Sequence, residues 1–339
     1  MRRGSIASLV GIGVVAGGIA AAVALAFPWL PKPASNEAGR IQPLIWFVII
    51  ICIVVFAIVI AVILYSVVRF RAAPDDDSDG PPVHGNTGLE IVWTLIPTVL
   101  VTVIGIVSAI VLGRNDALGA NVLRVDVTAQ QFAWSFSYPD ANGLTSGTLR
   151  LPKDRSVLLT FSSKDVIHSF WVSEFSQKQD VVPGMTTTLH ITPNRLGTFA
   201  VICTELCGLG HSVMRTQAIV MSPAAFEKWL HGQAKAVSSP SSGVAGAAVF
   251  KNNQCGACHT LKAAGTSAVV GPDLDTLPAL AQGAGMPLED FVRQSIVDPN
   301  AYVAKGLPHN VMPATFGKAL SKQELDVLVQ YLVSSSKKG

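Results

Sequence analysis

The chain has 339 residues, 50% of them hydrophobic and 14% charged, with a formal net charge of +3 and a mean hydropathy of +0.45. It is too apolar for an ordinary soluble protein, and too weakly basic, with no clustered basic stripe, for a nucleic-acid binder. The apolar excess lies in the first third.

Residues 1–26 open with Met1-Arg-Arg and continue as an Ala/Gly-rich apolar run ending in small residues around Ala22, Ala24 and Ala26. That pattern predicts a signal peptide. A retained extra membrane span is the other reading, since the run is longer than a usual signal core. Residues 41–114 are predicted to form a two-helix membrane hairpin. Its spans, about 41–68 and 91–113, each exceed the roughly 20 residues needed to cross a bilayer. Trp46, Tyr65 and Trp93 lie near their ends as interfacial anchors. Arg69 and Arg71 put the connecting loop inside, because Asp75, Asp76, Asp77 and Asp79 count little in that rule. Everything after Arg114 is then outside.

From 121 to 222 the hydrophobic period changes to two, in stretches such as Leu123-Arg-Val-Asp-Val-Thr and Val157-Leu-Leu-Thr-Phe. Turn clusters at Pro139-Asp-Ala-Asn-Gly and Pro193-Asn-Arg-Leu-Gly separate them, which predicts an all-β sandwich or barrel. A short amphipathic helix is expected over 223–231. Residues 232–245 have a Ser/Gly/Ala-rich linker composition. Residues 246–336 read as a small all-α domain, its last helix opened by a Ser321/Glu324 capping box.

Two motifs carry chemistry. Cys203-Thr-Glu-Leu-Cys207-Gly-Leu-Gly-His211-Ser-Val-Met214 places two thiols, an imidazole and a thioether in one short loop. These are soft or borderline ligands, and methionine favours copper over zinc. A pair of coppers bridged by two thiolates needs a second terminal imidazole. His168, just after a predicted strand, is the candidate, because strand-end loops converge at one pole of such a domain. His190, His231 and His84 read as ordinary polar or surface residues. The second motif, Cys255-Gly-Ala-Cys258-His259, has the C-x-x-C-H spacing of c-type haem attachment, with His259 as axial ligand. The opposite ligand is expected from Met312, which precedes Pro313 in a turn-rich stretch. Met286 comes early for the far wall of a haem pocket, and His309 is a weaker alternative. Cys52 sits mid-span as a small apolar residue, so no cysteine is left for a disulfide.

At these motifs the chain resembles subunit II of the haem–copper terminal oxidases, in the variant with a fused C-terminal cytochrome c domain. The resemblance rests on the copper loop, on Leu89-Glu-Ile-Val-Trp-Thr-Leu-Ile-Pro97, on Gln131-Phe-Ala-Trp134-Ser-Phe and on Asp180-Val-Val-Pro-Gly184, and runs from about residue 41 to the end. It implies a cupredoxin-like domain over 121–222 with a dinuclear CuA centre held by His168, Cys203, Glu205, Cys207, His211 and Met214, Glu205 acting through its carbonyl. It further implies a Glu205 carboxylate in a Mg²⁺ or Mn²⁺ site shared with the catalytic subunit. Glu90 would mark the mouth of a proton pathway or simply be an acid at a helix start. Two departures stand out. Phe132 replaces a Trp at which electrons enter in the family, which points to donation over Trp134 instead. Met185 replaces the Arg of a Pro-Gly-Arg turn.

The implied protein is an electron-transfer component, not catalytic alone, of a dioxygen-reducing, proton-translocating oxidase in the bacterial inner membrane, multi-pass, with both metal domains outside. Its implied partners are catalytic subunit I, subunit III, an electron donor (a soluble or membrane cytochrome c, or a quinol–cytochrome c reductase) and the lipid bilayer. One electron at a time would pass from haem to copper to that subunit. A flexible 14-residue linker spans roughly 20 Å and gives an effective concentration on the order of mM. A copper-containing subunit of a nitric oxide reductase and a copper-carrying assembly protein are the alternatives.

Overall fold

The computed structural model describes the chain except residues 1–2, 72–81, 83–84, 118, 120, 142, 238–241, 315 and 337–339. His84 and the acids at 75–79 therefore lie outside the described residues.

Among the described residues three helices, not two, are long and apolar enough to cross a membrane: α1 (Arg3–Ala26), α2 (Asn36–Arg69) and α3 (Thr87–Asn115). The third arises because the N-terminal run is alanine-rich and has no proline before Pro28, so helical hydrogen bonding runs unbroken. It packs on α2 through small residues. A Cβ on Gly17 would lie 3.2 Å from Ala57, and one on Gly13 would lie 3.6 Å from Ala61, the close approach that membrane helix pairs favour. The start of α3 is capped by Asn86, whose side chain accepts from the Leu89 amide at 3.1 Å, while Glu90 accepts from the Asn86 amide at 3.2 Å. Glu90 is thus engaged in closing a helix terminus.

The β-domain is a sandwich of two five-stranded sheets. Its strands are β1 (Leu123–Gln130), β2 (Ala133–Tyr138), β3 (Leu144–Ser146), β4 (Leu149–Pro152), β5 (Val157–Ser163), β6 (His168–Val172), β7 (Gln177–Val181), β8 (Thr187–Ile191), β9 (Gly197–Cys203) and β10 (Arg215–Met221). One sheet runs β3-β2-β1-β5-β8 and the other β4-β10-β9-β6-β7. Two parallel pairs, β1 with β5 and β4 with β10, tie distant parts of the chain together. The alternation read from the sequence becomes burial. Val125, Val127, Leu159, Phe161, Phe170 and Val201 are all fully buried between the sheets, where apolar contact supplies the main stabilisation.

Tyr138 pins the two layers together. Its hydroxyl donates to the Arg150 carbonyl at 2.9 Å and accepts from the Arg150 amide at 2.7 Å, and burial pushes its pKa up. Tyr138→Phe strands a buried donor and a buried acceptor, so a loss of about 1–3 kcal/mol is expected, read as a lower thermal midpoint with metal content unchanged.

Residues 223–252 differ from expectation. α4 (Pro223–Val237) runs well past 231, and α5 (Ser242–Asn252) begins before 246. The stretch read as a linker is therefore largely helix, because Gln233-Ala-Lys-Ala-Val continues α4 with good helix formers. Phe226 and Trp229 of α4 pack on the Tyr138 ring. The C-terminal domain adds α6 (Leu277–Gly283), α7 (Leu288–Val297), α8 (Phe316–Ala319) and α9 (Lys322–Ser336) around a core of Phe250, Leu261, Phe291, Val292 and Val329. The Ser321/Glu324 capping box forms, with Oε2 of Glu324 2.8 Å from the Ser321 amide and the Glu324 amide 3.2 Å from Ser321 Oγ.

Candidate metal centre

β9 ends on Cys203 and β10 starts at Arg215, so the loop between them emerges at one pole of the sandwich beside His168, the first residue of β6. Strand pairing forces this meeting, since Phe170 of β6 is in register with Cys203. Cys203 and Cys207 bring their sulfurs to 3.9 Å. His168 Nδ1 lies 3.9 Å from the Cys203 sulfur, and the Glu205 carbonyl lies 3.3 Å from it. On the other thiol, His211 Nδ1 stands at 3.5 Å and the Met214 sulfur at 3.7 Å. The loop closes on itself, the Cys203 amide donating to the Met214 carbonyl at 3.1 Å.

The six donors are two thiols flanked on each side by an imidazole and one weak ligand. That set fits a soft metal pair and is a poor match for hard cations. His168 and Met214 are fully buried and both thiols nearly so, which keeps water away. Electrostatics prepare the thiols unequally. Burial pushes both up, but hydrogen bonding to His168 and to neighbouring backbone outweighs this at Cys203 and lowers it, whereas Cys207 stays raised beside the Cys203 charge.

A supporting set of residues was not singled out from the sequence. Asp165 Oδ1 lies 2.8 Å from His168 Nε2, fixing the tautomer that leaves Nδ1 facing the thiols. The other Asp165 oxygen accepts from the Gln131 amide at 2.6 Å, and the Gln131 side chain donates to the Cys207 carbonyl at 2.5 Å. Gln131 thus ties the carboxylate to the thiol loop. The available signal was an acid three residues before the candidate histidine. Asp165→Asn is expected to weaken copper binding about 10–100-fold, measured by competition with a chelator.

The same contact gives metal binding a pH dependence. Burial lowers the His168 pKa, but the Asp165 hydrogen bond and the Cys203 contact more than reverse this and raise it to about 8. In the metal-free fold the protonated pair contributes stability that is complete below the ordinary histidine value and lost as pH rises through about 8. Copper needs the neutral ring, so its affinity rises over the same interval.

Trp134 is buried and packs edge-on against the His168 ring, with centroids 6.2 Å apart, and against Phe170 at 5.6 Å. Phe132, not Trp134, faces the loop glycines, where a Cβ on Gly208 would lie 3.2 Å from its ring. Glu205 is exposed in the loop, as are Leu206 and Leu209. Met185 is exposed, and Asp180, on β7, accepts from Ser169 Oγ at 2.7 Å. His190 lies partly buried on β8 and His231 is exposed on α4.

In the C-terminal domain, one apolar cavity is lined by Cys255, Cys258, His259 and Met312 together with residues such as Leu274 and Phe316. His259 Nδ1 donates to the Pro272 carbonyl at 2.9 Å, leaving Nε2 free to ligate. Burial lowers its pKa, so the ring is neutral. A Cβ on Gly271 would lie 2.8 Å from Nδ1, so only glycine lets the backbone pass this close. The cavity suits a flat apolar ring system held by two thiols and two axial ligands. Met286 packs against the domain core instead, and His309 is exposed.

Comparisons with known proteins agree along the chain. A family model for the transmembrane domain of cytochrome c oxidase subunit II matches residues 22–111. One for its periplasmic domain matches 145–222, and a cytochrome c model matches 243–336. Cytochrome c oxidase subunit 2 of Synechocystis sp. is 32% identical over 254 residues, covering 61% of this chain and 76% of the relative. The protein of that name from Alkalihalophilus pseudofirmus is 31% identical over 79% of each chain. The one from Bacillus subtilis is 29% identical over 89% of this chain and 90% of its own.

Proposed function

The chain belongs to the cytochrome c oxidase subunit 2 family, and from that premise we propose that it relays single electrons from a covalently held c-type haem to a two-copper CuA centre and on to the catalytic subunit. It is a membrane-associated subunit of a haem–copper oxidase, with a copper domain on the periplasmic side and a cytochrome c domain. Neither a nitric oxide reductase subunit nor an assembly protein is favoured by these relatives.

The single observation that carries the reading is the convergence of the six donors on two adjacent thiols. Cys203, Cys207, His168 and His211 would hold the copper, with Met214 and the Glu205 carbonyl as weaker ligands. Copper held there supplies a one-electron carrier. Asp165 and Gln131 hold the ring and the loop in place, so little has to rearrange when charge arrives. Cys255 and Cys258 would anchor the porphyrin and His259 and Met312 would ligate its iron, and the haem so held would supply the second carrier.

Around this core, the Arg69 and Arg71 side of the membrane would be cytoplasmic, so the helices span and both metal domains lie outside. Leu206 and Leu209, in the same loop as Glu205, are exposed. This loop would face the catalytic subunit, with the Glu205 carboxylate as one ligand of a shared Mg²⁺ or Mn²⁺. Subunit III, the surrounding lipid and a cytochrome c or quinol–cytochrome c reductase donor complete the expected partners. A role for Glu90 at the mouth of a proton pathway would require it to leave its cap. Purification in mild detergent tests the reading. A co-purifying haem-bearing membrane subunit and oxygen uptake with reduced cytochrome c are expected. Nitric oxide turnover without oxygen uptake would overturn it.

A further inference from the structure

The extra apolar helix shapes a groove against its neighbour. α1 and α2 run antiparallel, with Gly13 beside Ala61 and Gly17 beside Ala57. Next to this crossing lies a groove of about 430 Å³ whose lining is entirely aliphatic and glycine. Val10 and Val14 of α1 and Ile58 and Val62 of α2 line it, and each keeps more than half of its surface exposed.

The depth of the groove matches one leaflet. The uncharged stretch of α2 runs from Ile41 to Val68, so Ile53 stands near its middle and Val62 toward the Arg69 end. At 1.5 Å per residue the lining from Ile53 to Val62 is roughly 14 Å long, about half of a ~30 Å hydrocarbon core. Past Val62 the chemistry changes. Tyr65 and Phe70 pack edge-on with centroids 6.3 Å apart, an aromatic pair of the kind that marks a membrane interface. Arg69 and Arg71 follow and are exposed. The antiparallel pairing also sets Arg3, the first residue of α1, level with Arg71. The groove therefore runs from the middle of the spans toward a cationic end, with Arg69 roughly 10 Å beyond Val62.

An occupant must be narrow and apolar along one leaflet and anionic where the arginines stand. A further helix, about 10–12 Å across, is too wide to enter between two helices already in contact. A single hydrocarbon chain is not, and basic ends of helix pairs attract anionic headgroups. We propose that the α1–α2 groove is a binding site for one anionic phospholipid. One acyl chain lies along Val10, Val14, Ile58 and Val62, and the phosphate pairs with Arg69 and Arg71. α1 is then a retained span whose open side is completed by lipid. The site uses neither metal centre, so it stands or falls separately from the electron relay.

The test uses the full chain with its co-purifying subunits, returned to phosphatidylcholine vesicles that contain some phosphatidylglycerol. A photoreactive acyl chain is carried by the phosphatidylglycerol in one preparation and by the phosphatidylcholine in another. Mass spectrometry should find α1 present, and peptides covering residues 9–17 and 53–62 labelled several-fold more by the phosphatidylglycerol probe. Val14→Phe and Ile58→Phe fill the groove from exposed positions and spare the glycine–alanine contacts. Each should lower that labelling several-fold with haem absorption at parent level. Arg69→Gln combined with Arg71→Gln should erase the preference for phosphatidylglycerol. Equal labelling by the two probes in the parent, or labelling that neither phenylalanine lowers, would mean ordinary surrounding lipid and overturns the site. Groove peptides left unlabelled because another subunit covers them, or a mature chain that begins after Ala26, overturn it equally.

Discussion

Cys203→Ser and Cys207→Ser chains are expected to lose the near-infrared absorption and paramagnetic signal of a mixed-valence copper pair while keeping their haem. Copper per chain should fall from two to one or none. The sulfurs stand 3.9 Å apart, each with its own imidazole within 3.9 Å, close enough for both thiols to serve one shared copper centre. Serine is a hard, weakly acidic donor and cannot replace a thiolate at a copper site. Removing one bridge also leaves the other thiol buried beside an unmatched set of donors. Metal analysis and absorption on the full chain measure both effects. Electron passage beyond the haem should drop to background, because the acceptor is gone.

Met312→Ala is expected to act on the other carrier. The haem should lose its methionine-ligand absorption, and its potential should fall by an appreciable part of the ~0.8 V range that axial ligands span. Each 59 mV of that fall makes reduction by a given donor tenfold less favourable, so turnover with an external donor declines although the onward step to copper becomes more downhill. Met286→Leu is the control. Met286 packs in the domain core and does not line the haem cavity, so it should leave the spectrum and potential unchanged and cost less than about 1.5 kcal/mol. A potentiometric titration of the two variants separates the assignments. An unchanged potential in Met312→Ala, with a fall in Met286→Leu, would reverse them.

Much of this was legible because the chemistry is concentrated in short segments. Cys203 to Met214 and Cys255 to His259 carry their candidate ligands at spacings that a compact loop can bring together, so the sequence alone marks them as candidates. The β-sandwich is equally legible, since the alternating residues of β1 and β5 become its buried face. His168 could be reached only by arguing that strand-end loops meet at one pole, and register with β9 is what brings it to Cys203. What sequence could not give was long-range and polar. Asp165 and Gln131 act across 34 and 76 residues of chain, and no local pattern marks such contacts. The stretch at 232–245 misled because its small residues suit either a coil or, as in α4 and α5, a helix. Phe132 illustrates the limit best. As a substitution it suggested a lost electron path, yet its ring lies between copper loop and haem cavity, while Trp134 lies deeper against His168.

The most direct test of the account is the order of the haem-to-copper step. When the haem of the full-length chain is reduced by a flash, the rate of copper reduction should be first order and unchanged as the chain is diluted, because donor and acceptor share one polypeptide. A rate that falls in proportion to chain concentration would mean that electrons move between molecules, and the relay described here would be wrong.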